Sequence, residues 1–542
     1  MLKSASIVQV LLFATALFGQ TAEPLFVRDA VGLKSFPPPP RIAERAAAGP
    51  LVTLGFAASS VPDEIEAVYA WNDKHGVPAK NGFTRHIPGA LAVRLGTASA
   101  STTGERFAGG IVTTTAVGTR VWSAAVRVAG AYRLRLHLTN VSLPPGAVFW
   151  VYPAAGTPVA FDHDLIDDHG ELYTPSVAGE MAYLELEVPQ NAEASFDISD
   201  VLEIVPPQRT MTVQSKPTPA DAPTCLIDAT CVTSSTLDAI SDVERAVADL
   251  HYVKAGTGYV CTGALLNDKD TSTSIPYLLT ANHCFSDQSA ASSLEAFWDY
   301  RTATCGGTFP DMSTLQRTNG SQLLATSATS DFTFVKLSGI PAGRWLLGWT
   351  PAAVPSGTVL HRVSHPYPDA FSTQAPQAYS STVVNTTVAT CTGRPRGSFI
   401  YSNGGQGGVY GGSSGSPAIL AGGYVVGQLL GACGPNDPSA GCDPSNATVD
   451  GAFSVTYPSI ASYLSGNSGV TPTPCVASST TACLLNNRFK ATVRYRNGGD
   501  NGAADTDAFV KTVTGFASAN NETSFFYFYG ANNIELLLKM LV

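Results

Sequence analysis

Three stretches of this chain could together perform nucleophilic chemistry. The segment Gly412-Ser413-Ser414-Gly415-Ser416-Pro417 sets a serine in a glycine-flanked loop, with a proline two residues beyond the second glycine. Glycine permits backbone conformations that a side chain forbids. Such a loop can turn neighbouring N–H groups toward one point, where charge develops on an attacked carbonyl oxygen. Thr280-Ala281-Asn282-His283-Cys284 supplies an imidazole upstream, and Ser330-Asp331-Phe332-Thr333-Phe334-Val335 a carboxylate between the two. The order His283, Asp331, Ser414 is one of those in which a Ser-His-Asp triad occurs. In that chemistry Ser414 Oγ attacks a carbonyl, His283 takes its proton and Asp331 fixes the imidazole tautomer. The N–H groups of Gly412 and Ser414 would then form the oxyanion hole. Singly, each is an ordinary turn, loop or strand-end residue; the reading rests on their joint occurrence in this order.

The elements around these residues are strands. At 542 residues the length suggests roughly three to four domains. Only 14% of residues are charged, against about 25% in an average soluble domain, and Gly, Ser, Thr, Ala and Val dominate, as in β-rich exported proteins. The net charge is −10, with no long basic run, which argues against nucleic acid as a partner. Residues 1–22 read as a signal peptide: Lys3 precedes the largely apolar Ile7–Phe18, and Ala14, Ala16, Gly19 and Ala22 are small enough for cleavage. That stretch is short for a membrane span, so the processed chain is expected to be secreted, off the membrane and a monomer. Ten cysteines begin only at Cys225. An even set in an exported chain points to disulfides.

Residues 23–215 read as a pro-region. Its first part, to about residue 60, is Pro- and Ala-rich, with Pro37-Pro38-Pro39-Pro40 as a linker mark. A β-sandwich is expected over about 80–205, from the alternation in 121–128, 132–138 and 183–188, the turn Leu143–Gly146 and the strand 148–152. The catalytic segment, 216–465, opens with an expected helix over Asp242–Leu250 and continues in short strands. A linker over 466–474 leads to a small β accessory segment, 475–542, with strands expected at Phe489–Tyr495 and Phe525–Tyr529.

Residues 225 to about 465 resemble the chymotrypsin-like serine peptidases, most closely the lysyl-endopeptidase-like branch of bacteria. The likeness lies in Cys261–Asn267, Thr280–Cys284, Phe297–Tyr300, Ser330–Thr333, Ser413–Pro417 and Val426–Leu429. It implies an all-β protein: a double β-barrel protease domain, here preceded by a β-sandwich pro-domain and followed by the accessory segment. It implies a serine endopeptidase acting on proteins or peptides through an acyl-enzyme, without cofactor or metal. The same resemblance suggests the bridges Cys261–Cys284, Cys231–Cys305 and Cys225–Cys442. Cys391 would then pair with Cys433, and Cys475 with Cys483.

Two departures from the family pattern matter. Trypsin-like zymogens carry an aspartate before the nucleophile to capture a freed N-terminal amine; here that residue is Ser413. Activation is therefore expected to rest on removal of the pro-region, acting as chaperone, inhibitor or both. Lysine-specific members place an acid three residues before a glycine that opens a late strand. With Gly451 as that glycine the position holds Thr448, and Gly408, six before the nucleophile, is uncharged. The pocket wall would be Leu430, Gly431 and Ala432. The family implies lysine preference; these residues leave a neutral one open.

Other features read as structural. His361 and His365 have i,i+4 spacing, but Val363 and Pro366 argue for a strand rather than a metal-binding helix. The loop Pro435–Pro438 reads as solvated turn rather than calcium site, and Phe525–Tyr529 as packed strand rather than carbohydrate platform. The competing class is a non-catalytic binding protein that keeps the protease fold. Against a serine esterase of the α/β-hydrolase kind stands the lack of a Gly-x-Ser-x-Gly elbow set between a strand and a helix.

Overall fold

The computed structural model describes residues 21–42, 44, 53–56, 61–74, 77–95, 106–107, 110–167, 169–206, 225–367, 376–434 and 446–465, and short strands between 481 and 541. These belong to two bodies, one ending at Gly466 and one within 467–542.

The N-terminal half of the first body is the expected sandwich. One sheet runs Gly110–Thr114, Arg120–Val128, Met181–Val188, Val148–Tyr152 and Val159–Phe161 in spatial order. The other contains Leu172–Tyr173, Arg133–Ser142, Ala194–Ile204 and Ala79–Leu95. Between them pack Trp122, Phe149, Phe196, Leu136 and their neighbours, all fully buried. Alternate side chains of a strand face opposite ways. Leu134, Leu136 and Leu138 thus enter the sandwich core, while Arg133 and Arg135 point the other way and are also buried, 3% and 2% exposed.

What buries those arginines is the other half of this body, residues 225–465, for which the catalytic role is expected. Glu295 sits on its strand Glu295–Phe297 and is fully buried. Its carboxylate faces Arg317 at 2.9 Å and Arg135 at 3.6 Å, and accepts the Ser176 N–H at 2.9 Å. Burial alone would raise its pKa, but the guanidinium groups of Arg135, Arg317 and Arg133, with that N–H, hold it down at about 2.

The two halves also share one sheet. Ala79–Leu95 pairs with Ala194–Ile204 of the sandwich on one side and, through Ala79–Phe83, with Thr257–Val260 of the catalytic half on the other.

The catalytic half has the two-barrel plan. Its second barrel closes: Val359–Ser364, Ala378–Val384, Phe399–Gln406, Ala447–Ala452, Tyr424–Cys433 and Pro417–Ile419 pair in a ring. The first is an open half-barrel. It runs Arg317–Asn319, Glu295–Phe297, Val247–Lys254, Thr257–Leu266, Tyr277–Thr280, Phe332–Leu337 and Ser321–Ser327. The helix Phe453–Leu464 packs Phe453, Tyr457, Ile460 and Leu464 into the core with Trp349.

Two expectations fail. The helix expected over Asp242–Leu250 is Ile240–Ala246; from Val247 the chain is strand, because tertiary pairing of Val247–Lys254 with Thr257–Ala264 overrides the local helical pattern. The Pro- and Ala-rich start is not a free linker. Leu25–Val27 pairs with Arg344–Leu346, and Ala22 exchanges backbone hydrogen bonds with Trp349. Pro37 O accepts the Trp150 Nε1–H at 3.0 Å. Ala22, expected to end the signal peptide, and Val27, within the Pro- and Ala-rich start, are both buried in the barrel core.

In the second body, Thr481–Leu484, Phe489–Asn497, Thr506–Asp507 and Ile534–Leu541 form an antiparallel sheet. The linker 466–474 and the segment Phe525–Tyr529 lie outside the described residues.

Candidate active site

His283 and Asp331 meet through two strands of the half-barrel. Tyr277–Thr280 pairs with Phe332–Leu337 in the register Thr280↔Thr333, so the chain leaving the first strand faces the chain entering the second. Asp331 Oδ1 accepts the His283 backbone N–H at 2.9 Å, and Oδ2 lies 2.7 Å from His283 Nδ1. Asp331 is 3% exposed and has φ 52°, a left-handed conformation that Asp tolerates better than most residues. The carbonyl before it, Ser330 O, is held by Gln428 Nε2 at 2.6 Å. A Cβ on Gly451 would fall 1.8 Å from that oxygen, so only glycine fits there.

The nucleophile loop is fixed by the strand Thr257–Leu266. Thr262 N–H donates to Ser414 O and Thr262 Oγ1 donates to Gly412 O, both at 2.8 Å. Gly412 has φ 94°, and a Cβ there would lie 2.5 Å from Tyr367 N. Gly415 comes so close to the histidine segment that a Cβ would meet Thr280 Oγ1 at 2.2 Å and Ala281 N at 2.8 Å. This packs the serine loop against the residues that lead into His283.

Ser414 is buried, 4% exposed, and its hydroxyl makes no hydrogen bond to His283 Nε2. His283 Nε2 is buried and has no hydrogen-bond partner. Around the serine, the N–H groups of Ser413, Gly415 and Ser416 are engaged by Tyr410 O, Leu429 O and Ser413 O. Among the described residues, those of Gly412 and Ser414 donate to nothing. Ser413, in place of an acid, bonds its hydroxyl to Ser364 Oγ at 3.1 Å.

Behind the loop lies a pair that motif reading missed. Arg362 Nη2 meets Asp450 Oδ1 at 2.6 Å, and Arg362 Nη1 donates to Ser416 O at 2.9 Å. Both side chains are buried, 4% and 0% exposed. Burial pushes the Asp450 pKa up, and Arg362 opposes that. Asp450 is thus committed to Arg362. Its neighbour Thr448 faces Ala432 across the sheet, beside Leu430 and Gly431, which are half-buried. No signal of spacing links Arg362 to Asp450; the barrel ring alone brings them together. Thr262 does follow Cys261 in a motif that sequence reading singled out, without a role.

Cys231–Cys305, Cys261–Cys284 and Cys391–Cys433 are disulfides. Cys442 and Cys475 lie outside the described residues, as do Pro435–Pro438. His361 and His365 lie on a strand and just after it, as expected, and look apart: Nδ1 of one meets Tyr379 OH at 2.8 Å, and that of the other Pro376 O at 2.8 Å. Among the described residues, no helix is long and apolar enough to cross a membrane.

Known proteins share parts of this chain. Residues 220–444 match the family described as lysyl endopeptidase, C-terminal domain. Lysyl endopeptidase of Pseudomonas aeruginosa is 33% identical over 154 residues, 27% of this chain, and the chain spans about a third (32%) of that relative's length. The crystal structure of an active-form protease from M. tuberculosis aligns with 46% of this chain and 93% of its own, at 13% identity and a TM-score of 0.29. Over residues 220–444 the chain is thus similar to a peptidase domain, that described as the C-terminal domain of lysyl endopeptidases.

Proposed function

We propose that the chain is the precursor of a secreted serine endopeptidase, which hydrolyses peptide bonds through an acyl-enzyme on Ser414. One observation carries the reading. Asp331 grips His283 by two hydrogen bonds, while His283 Nε2 stays unpaired and the serine loop holds two idle N–H donors. In this reading Nε2 takes the Ser414 proton, the N–H groups of Gly412 and Ser414 receive the oxyanion, and His283 then passes the proton to the leaving amine. Water repeats the sequence to release the acid. The disulfides and the apolar N-terminus fit an exported protein, and residues 23–215 act as the pro-region.

The side chain selected before the cut is uncharged in this account. A lysine needs a carboxylate; among the described residues Asp450 is spent on Arg362, and Thr448 and Gly408 have none, while Asp443 lies outside them. Lysine preference is the second reading, favoured by the match of residues 220–444 to lysyl endopeptidases. Digestion of a denatured protein, with mass spectrometry of the cut sites, decides. Cuts after varied neutral residues support the first reading, cuts after lysine the second, and no cuts at all once the pro-region has been removed discard both.

A further inference from the structure

The segment Ala79–Phe83 joins the sheet of the sandwich to that of the half-barrel. In the strand Thr257–Leu266, Thr262 holds Ser414, and Cys261 is bridged to Cys284, next to His283. The residues just before these pair antiparallel with the N-terminal part of the chain: Val260 with Ala79, Tyr259 with Lys80, Gly258 with Gly82 and Thr257 with Phe83. Ala79 is 2% exposed and packs on Val260 and Tyr367. A Cβ on Gly411 would touch its methyl group at 3.3 Å. From there Ala79–Phe83 runs away from the serine loop.

An extended peptide binds a sheet edge by adding a strand. A group that protonates a leaving amine must stand on the leaving-group side of the substrate. His283 is that group in the reading above, and the edge Thr257–Val260 is tied to the histidine loop. We propose that in the full chain residues 79–83 lie on this edge as a substitute strand and so exclude the leaving-group side of a peptide substrate. The proposal rests on the serine-peptidase reading.

On the acyl side Leu430, Gly431 and Ala432 are half-buried, and no atom of the described residues lies within 4 Å of a Cβ placed on Gly431. The substitute strand is held from its own helix, Val61–Asp73. Asn72 bonds Lys80 N and Lys80 O at 2.8 Å each, and Trp71 Nε1 donates to Pro78 O at 3.0 Å. In this proposal the pro-region blocks one half of the cleft and leaves the other accessible.

The test uses the full chain, shown intact by mass, on two substrates with the same acyl part. One is a 4-nitroanilide, which ends at the scissile bond; the other is a quenched peptide with four residues beyond it. Asn72→Ala and Ala79→Glu are compared with wild type, two variants so that misfolding of either leaves the other. The expected result is a rise of at least tenfold in kcat/KM for the long peptide, with the anilide within twofold. A parallel rise for both substrates, or no rise for either in folded variants, overturns the proposal. So does a wild-type chain that reacts with a phosphonate at Ser414 yet leaves the anilide uncut. Failure of both the anilide and the phosphonate would remove the peptidase reading as well.

Discussion

Asp331 accepts two hydrogen bonds from a single residue, His283: one from its backbone N–H at 2.9 Å, one at its ring Nδ1 at 2.7 Å. The backbone bond fixes where the ring starts, and the ring bond fixes how it turns. Both need a carboxylate, because an amide offers one acceptor and one donor. Asp331→Asn should present an NH₂ to Nδ1 and place the ring proton on Nε2, where it cannot receive the serine proton. We expect kcat to fall by about 10⁴ with KM little changed, read by steady-state kinetics.

The buried Arg362–Asp450 pair supports the serine loop through Ser416. Removing one partner leaves an uncompensated charge. Arg362→Met should cost about 3–5 kcal/mol in urea unfolding, and adding Asp450→Asn should recover more than half of that. A single-variant cost below about 1 kcal/mol would contradict the assignment.

Gly451 borders Ser330 O so closely that any side chain must push the Asp331 segment aside. Gly451→Ala is expected to destabilise by about 1–3 kcal/mol and to lower turnover at least tenfold. A variant that melts lower but keeps full turnover would separate Gly451 from the site.

Glu295 links the halves. Its pKa lies at about 2 in the folded chain, against 4.5 as its ordinary value. A depressed folded pKa contributes stability that is complete above the ordinary value and is lost as pH falls from about 4.5 toward 2. That window is worth about 3 kcal/mol. Urea midpoints of wild type and Glu295→Gln should therefore differ most above pH 5 and converge toward pH 2. A constant gap would contradict this.

Legibility in the sequence followed locality. The strands at 121–128, 148–152 and 183–188 were readable because alternation is a property of one strand. The motifs of His283, Asp331 and Ser414 were readable because each site residue sits in a short, distinctive loop. Arg133 and Arg135 were part of a readable alternation, but the sequence alone offered no sign that their face meets Glu295. The Arg362–Asp450 pair and the shared edge Ala79–Phe83 with Thr257–Val260 join residues 88 and more than 170 positions apart, through sheet register alone. Pro37–Pro40 misled for the opposite reason: proline content describes the chain's stiffness, and its packing on Trp150 depends on a distant strand.

The central claim is that Ser414 is the nucleophile and His283 its base. Labelling the full chain with an organophosphonate and mapping the adduct by peptide mass spectrometry tests this directly. The account predicts one adduct, on Ser414, absent from Ser414→Ala and at least 100-fold slower to form in His283→Ala. An adduct on another residue, or peptide hydrolysis that survives in Ser414→Ala, would contradict it.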